Sequence, residues 1–333
     1  MTPDAEELLA DAHVVRLPLV TRFRGVTERE ALLLRGPSGW GEFSPFLEYD
    51  DAEASAWLAA AIDAAWGAPT PVLRDEVPVN ATLPAVPVGR IREVLERFGA
   101  VRTVKVKVAD AREGLADDVA RVGEVRRILG PEGRIRIDAN GAWSVDRAER
   151  AAHALAPFDL EYLEQPCATV AELAELRERL RDWQLPIAAD ESVRKASDPL
   201  AVARAGAADL LVVKVQPLGG VARALRIVAE AGLPAVVSSA IDTSVGLAMG
   251  ARLAAALPEL AYDCGLGTAA LLASDVTAEP LRPQGGVIAV RAVEPDATLL
   301  QQHAAPPERV AWWHERVRRC AALLAPSPSP RVE

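Results

Sequence analysis

Cysteine is scarce in this chain of 333 residues: Cys167, Cys264 and Cys320 are the whole complement. No two of them have C-x-x-C spacing and the number is odd, so neither a zinc site nor a disulfide framework is indicated, and all three read as reduced packing residues. Basic charge is also in deficit, with 37 lysines and arginines against 47 acidic residues and a formal net charge of −10. No basic block long enough to follow a phosphate backbone interrupts that balance, which argues against nucleic acid as a partner. Long apolar runs are missing too, so no segment is suited to crossing a bilayer, and the N-terminus, Met1 to Glu7, is acidic where a signal peptide is basic. These absences lead to the expectation of a cytoplasmic protein with no membrane partner. What is present, half hydrophobic and a quarter charged residues, is the profile of a soluble globular enzyme.

From about residue 78 to residue 275, short β-branched runs alternate with longer amphipathic patterns, as in a parallel sheet built from βα units. The strands are expected at 77–83, 103–108, 134–139, 160–164, 187–190, 210–215, 235–239 and 260–264. Helices such as 170–180 and 221–231 lie between them. Eight such strands close into a (β/α) TIM-type barrel more readily than they form an open sheet. The first 70 or so residues differ, with strand-like stretches at 14–19 and 31–34, a Gly-Trp-Gly turn and an alanine-rich helix over 52–66. The expected organisation is therefore an N-terminal α+β capping domain (1–76), an α/β barrel (77–275) and a C-terminal segment (276–333). That last segment carries one more helix, 307–323, which returns to the capping domain, and its Ser/Pro-rich end, 326–333, reads as disordered.

Three of the expected strands end in an acid: Asp138 in Arg-Ile-Asp-Ala-Asn, Glu164 in Leu-Glu-Gln-Pro and Asp190 in Ala-Asp-Glu-Ser. The interval from Asp138 to Glu164 equals that from Glu164 to Asp190, one βα unit each time. Neighbouring barrel strands end side by side on one rim, so the three carboxylates converge there, and convergence of three anions is costly without a cation. An all-oxygen set with open positions suits Mg²⁺, with Mn²⁺ as a substitute, better than Zn²⁺. Any one of these acids could simply cap the following helix. The repeated interval speaks against that for all three together.

Two strands carry lysine where a barrel strand is ordinarily apolar. One reads Val104-Lys105-Val106-Lys107-Val108, which puts both lysines on one face; in the other, Lys214 follows four apolar residues. A lysine buried beside another lysine has its pKa lowered by desolvation and by like charge, so one of this pair can act as a base near neutral pH. The alternative, lysines snorkelling past the helices to water, suits Lys214 poorly.

Taken together, the residues resemble a known family. Lys-x-Lys, Asp-x-Asn, Glu-x-Pro, Asp-Glu-Ser and Lys214-Val-Gln-Pro-Leu-Gly219-Gly220, in order at βα spacing, are similar to the muconate-lactonising subgroup of the enolase superfamily, and Gly41-Glu42-Phe43-Ser44-Pro45 resembles a motif of that family's capping domain. The resemblance implies Mg²⁺ held by Asp138, Glu164 and Asp190, with Asn140 supporting those carboxylates. It further implies Lys107 as the acid–base residue, Lys105 as its modulator, Lys214 on the opposite face of the substrate, and a loop at 20–25 that closes over the barrel mouth. Within the subgroup the chain is most similar to the o-succinylbenzoate synthases, through Arg134 to Asn140, Asp190 to Arg194 and Ser238 to Leu247. The reaction implied is syn loss of water from 2-succinyl-6-hydroxy-2,4-cyclohexadiene-1-carboxylate to give 2-succinylbenzoate in menaquinone biosynthesis.

The substrate is thus expected to be a small carboxylate, its succinyl end held by Ser238, Ser239, Ile241, Gly265 and Leu266, where small residues expose backbone N–H groups. Tight packing at the strand ends explains the same small residues nearly as well. Arg136, two positions before Asp138 and on the same inward face, is expected either to favour dehydration by positioning Lys107 or the substrate hydroxyl, or to pair with an acid in the barrel core. An N-succinylamino-acid racemase or dipeptide epimerase would use the same scaffold, with Lys107 and Lys214 exchanging protons on opposite faces. A muconate cycloisomerase fits Arg136 and the 238–241 stretch poorly. A barrel that only binds ligand would lack one of the five charged positions, and all five are present. No part of the pattern specifies an oligomeric state.

Overall fold

The computed structural model describes residues 3–23, 25–194 and 198–325. The expected disorder of 326–333 and Arg24 of the 20–25 loop fall outside the described residues. Twelve strands are described: β1 (Ala12–Phe23), β2 (Val26–Gly36), β3 (Gly39–Phe43), β4 (Glu76–Pro78), β5 (Ala81–Leu83), β6 (Thr103–Lys107), β7 (Arg134–Asp138), β8 (Leu160–Glu164), β9 (Ile187–Ala189), β10 (Leu210–Val213), β11 (Ala235–Val237) and β12 (Val287–Ala289).

Strands β5 to β11 form one parallel sheet in sequence order, the arrangement that right-handed βα crossovers produce. The sheet closes without a regular eighth strand. Residues 264 and 265 bridge β11 to the chain before β5 through Gly265 N to Val237 O (2.8 Å), Cys264 N to Pro78 O (2.7 Å) and Asn80 N to Cys264 O (2.9 Å). The expected strand over 260–264 is therefore reduced to a bridge. The expected strand over 77–83 is divided, since β4 pairs antiparallel with β12 and only β5 enters the barrel. Valines alternating with the lysines of β6 pack outward under the helices, and Val104 and Val106 are fully buried there.

The N-terminal α+β domain is an antiparallel sheet, β1-β2-β3, covered by the helix Asp51–Trp66. Asp50 caps that helix by accepting from Glu53 N (2.8 Å). The helix Pro307–Leu324 packs on it, as the sequence suggests, through a separate apolar cluster that includes Trp57, Phe43, Trp313 and Cys320. Aromatic side chains of this size bury roughly 150–250 Å² each, so two fully buried tryptophans dominate that contact. The C-terminal helix also reaches the loop after β3: Arg316 Nη1 donates to Phe46 O (3.4 Å). Among the described residues, no helix is long and apolar enough to cross a membrane.

Candidate active site

The C-terminal ends of the barrel strands form a pocket of about 490 Å³ of empty space, open mouth included. Lysine strands β6 and β10 face each other across the barrel, and the three strands between them, β7, β8 and β9, carry Asp138, Glu164 and Asp190 at or just beyond their ends. All three carboxylates are buried. Register explains the convergence, because Lys107, Asp138 and Glu164 are paired across adjacent strands.

The ammonium groups bind these carboxylates directly. Lys105 Nζ donates to Glu164 Oε1 (2.6 Å) and lies 3.3 Å from Asp138 Oδ2. Lys107 Nζ donates to Asp138 Oδ2 and to Asn140 Oδ1 (2.9 Å), while Lys214 Nζ donates to Asp190 Oδ2 (2.6 Å). The two lysines of β6 are driven apart in pKa. Burial lowers Lys107, helped by the charge of Lys105 and opposed by Asp138. For Lys105, burial is outweighed by Glu164 and Asp138, which hold it above the ordinary lysine range. Burial likewise lowers Lys214 against the pull of Asp190. Asp138 stays well below the carboxylate range because Lys107 and Lys105 overcome its burial. Burial and the Asp138 charge push Glu164 up to about 8.

Among the described residues, no three His, Cys, Asp or Glu side chains already form a metal-binding group. The donor set nevertheless fits a hard divalent cation. It consists of oxygen only, Glu164 Oε2 is buried without a partner, and after burial itself the charges of Asp138 and Asp190 push Glu164 up, a repulsion that a cation would relieve. Asn140 sits where the motif suggests, its backbone N donating to Asp138 Oδ1 (3.0 Å).

Ser238, Ser239, Ile241 and Gly265 all line the pocket. The small size of Gly265 is accounted for by packing, since a Cβ there would lie 2.5 Å from Ser238 Oγ. Ser239 Oγ donates to Gly265 O (2.8 Å) and lies 2.8 Å from Thr268 Oγ1. The Leu266 side chain does not line the pocket, which leaves only its backbone N–H for the expected role. It is fully buried, and its Cδ2 would be 2.7 Å from a Cβ on Gly250, so the side chain fills the helix Ser244–Ala256 contact rather than the pocket.

Arg136 also requires correction as a positioner of Lys107 or of a substrate hydroxyl. It does not line the pocket. Its register partners are Lys105 and Tyr162, below the carboxylates, and there it donates to Glu161, Asn80 Oδ1 (3.1 Å) and Asp263 O (2.5 Å) and stacks on Tyr162. A buried guanidinium takes the nearest acceptors, so the core-pairing alternative describes it. Arg136→Met should therefore cost about 1–3 kcal/mol of unfolding free energy in urea titrations by leaving Asn80 Oδ1 and Asp263 O without their donor and Glu161 with Arg134 alone, with turnover of the folded protein nearly unchanged. A normal melt with lost turnover would restore a role in the reaction.

Further residues line the pocket. Phe23, from the 20–25 stretch, Phe46 and Trp57 come from the N-terminal domain, and Thr82, Arg194 and Thr268 from the barrel; of these, Phe46, Trp57, Thr82 and Thr268 carry no sequence signal. Phe23 ends β1, so most of the 20–25 loop is strand, and its ring lies 5.5 Å from Lys107 Nζ. The Gly41–Pro45 motif acts from behind the pocket. Glu42 accepts from Ser44 Oγ (2.6 Å), Thr243 Oγ1 (2.6 Å) and Gly246 N (2.9 Å), joining β3 to the start of the helix Ser244–Ala256. Gly246 makes room for it, since a Cβ there would be 2.8 Å from Glu42 Cδ.

Burial and then Asp242 push Glu42 up to about 7 from 4.5. Between those values the native state keeps a proton that the unfolded chain has lost, so stability falls as pH rises through that window. The wild type should lose up to about 3 kcal/mol relative to Glu42→Gln between pH 4.5 and 7. Parallel urea titrations check this, and identical slopes for the two proteins would refute it.

Two family comparisons cover the chain: Enolase N-terminal domain-like at residues 14–65 and Enolase C-terminal domain-like at residues 88–296. It is 56% identical to the o-succinylbenzoate synthase of Mycobacterium tuberculosis (strain H37Rv), over 98% of both chains. It is 56% identical to that of Mycobacterium leprae, over 98% of this chain and 96% of the other. Among solved structures, muconate lactonizing enzyme from Pseudomonas putida matches with a TM-score of 0.72 at 21% identity, covering 89% of this chain and 98% of that one. N-succinyl Arg/Lys racemase from Bacillus cereus matches with a TM-score of 0.74 at 18% identity, covering 89% and 97%. At those identities the structural matches speak for the fold alone.

Proposed function

Because the chain belongs to the o-succinylbenzoate synthase family of the enolase superfamily, we propose that it removes water from 2-succinyl-6-hydroxy-2,4-cyclohexadiene-1-carboxylate to form 2-succinylbenzoate in menaquinone biosynthesis. The observation that carries this reading is the placement of two buried lysines, both with lowered pKa, on opposite sides of a pocket whose intervening strands supply three carboxylates.

In this reading Asp138, Glu164 and Asp190 would hold Mg²⁺. The cation's contribution is to offset the negative charge that builds on the ring carboxylate when its α-proton leaves. Lys107, its pKa lowered by burial and by Lys105, accepts that proton. Asn140 Oδ1 and Asp138 fix the direction of its Nζ. The same lysine returns the proton to the departing hydroxyl, which leaves as water while the C–H electron pair completes the aromatic ring. Syn geometry permits one residue to serve both steps. Lys214, held by Asp190 on the far side, adds positive charge without moving a proton.

Racemisation of N-succinylamino acids would use both lysines in proton transfer. With Arg136 committed to the barrel core, the preference for dehydration is supported by the identity to the mycobacterial synthases. The test is turnover of the cyclohexadiene substrate alongside deuterium exchange at the α-carbon of N-succinylphenylglycine in D₂O. Efficient dehydration with slow exchange is expected. Rapid exchange without dehydration would overturn the synthase reading in favour of the isomerase.

A further inference from the structure

We propose that Arg194 is a positioning residue that ties the N-terminal domain to both active-site lysines through one continuous hydrogen-bonded chain; the inference rests on the function assigned above. Its side chain is only 2% exposed, and three of its nitrogens already have partners. Nη1 donates to Tyr49 Oη of the N-terminal domain (2.9 Å), Nε to Asp190 Oδ1 (2.9 Å) and Nη2 to Glu191 Oε1 (2.6 Å). From these the chain runs in two directions. Asp190 uses its other oxygen, Oδ2, to accept from Lys214. Glu191 Oε1 also accepts from Asn140 Nδ2 (3.2 Å), and Asn140 Oδ1 accepts from Lys107 (2.9 Å). One guanidinium thus orients Asp190 beneath Lys214 and, through Glu191 and Asn140, the amide oxygen that receives Lys107.

Arg194 lines the pocket, yet the use of all three nitrogens makes it a brace for its neighbours rather than a clamp on substrate. A planar fork can serve three acceptors at fixed angles, which the single ammonium of lysine cannot. The far end of the chain is placed to sense substrate. Tyr49 packs edge-on against Phe46 and Trp57, with ring centroids 5.6 and 6.0 Å away, and both of those side chains line the pocket. Seating of substrate against these aromatics therefore fixes Tyr49, and through Arg194 the two lysines, so the chain acts on turnover more than on binding.

The experiment is a double-mutant cycle of Tyr49→Phe, Arg194→Lys and the pair, read in kcat and KM and, without substrate, in the Mg²⁺ dissociation constant by calorimetry. Tyr49→Phe should lower kcat roughly tenfold and Arg194→Lys by at least roughly tenfold, as expected for a lost hydrogen bond to a charged group, with KM and melting temperature little changed. The pair should be no worse than Arg194→Lys alone, because the two residues act as one unit. Additive effects, or a change confined to KM or to melting temperature, would overturn the proposal. A wild type inactive on the cyclohexadiene substrate would refute the assigned function, and the Mg²⁺ cycle would then decide the chain by the same coupling criterion. A wild type that neither turns over nor binds Mg²⁺ would sink both.

Discussion

Lys107→Ala should lower kcat by roughly three to four orders of magnitude while leaving the melt cooperative, because on the proposed function the variant loses the group that both removes and returns the proton. Lys107 is the better base of its strand for a reason visible in its surroundings. Burial and the neighbouring ammonium lower its pKa, whereas Lys105 is held charged by Glu164 and Asp138. The two variants should therefore differ in kind. With Lys105 replaced by alanine, Lys107 loses the like charge, keeps its proton to higher pH, and the acid limb of the pH–rate profile moves upward. Lys214→Ala should lose roughly two to three orders of magnitude through missing positive charge rather than missing proton transfer. Stopped assays with the cyclohexadiene substrate across the pH range separate these cases. Full activity in Lys107→Ala would reverse the assignment.

Glu164→Gln should weaken Mg²⁺ binding by at least about a hundredfold, since the loss of a direct carboxylate ligand exceeds what the loss of a supporting group costs. EDTA should abolish turnover by the wild type, with Mg²⁺ or Mn²⁺ restoring it. Glu164 is the informative choice because it alone of the three carboxylates is pushed up, to about 8, and it is buried with one oxygen unpartnered. Replacing it relieves the repulsion, so the variant should fold, and an effect on metal binding can be read apart from an effect on stability. Full activity of Glu164→Gln after EDTA treatment would rule out the three-carboxylate site.

How much of the site was legible in the sequence follows from how local each determinant is. Strand alternation turns every second residue inward, and a βα unit has a nearly constant length. The Lys-x-Lys pair, the acids at the ends of β7 and β8 and just past β9, and Lys214 just past β10 could therefore be placed on one rim from spacing alone, and the structure brings them together. The boundaries of β8 agree with the reading for the same reason.

Where partners come from distant segments, the sequence was silent. Arg136 satisfies the same alternation rule as Asp138, but its role depended on Glu161, Asn80 and Asp263 lying within reach. Leu266 was grouped with the pocket by its neighbours in the chain and turned instead toward the gap at Gly250. Phe46 and Trp57 belong to a different layer altogether.

By itself, then, the sequence determined the barrel, the rim and the charged residues on it, because period-two alternation and βα spacing act over a few residues at a time. Only the tertiary structure decided which inward charges are paired in the core and which line a pocket. It also decided which aromatics roof that pocket, and that Arg194 and Tyr49 meet across two domains. Those outcomes depend on competition among acceptors and on packing between segments far apart in the chain, and no local pattern encodes either.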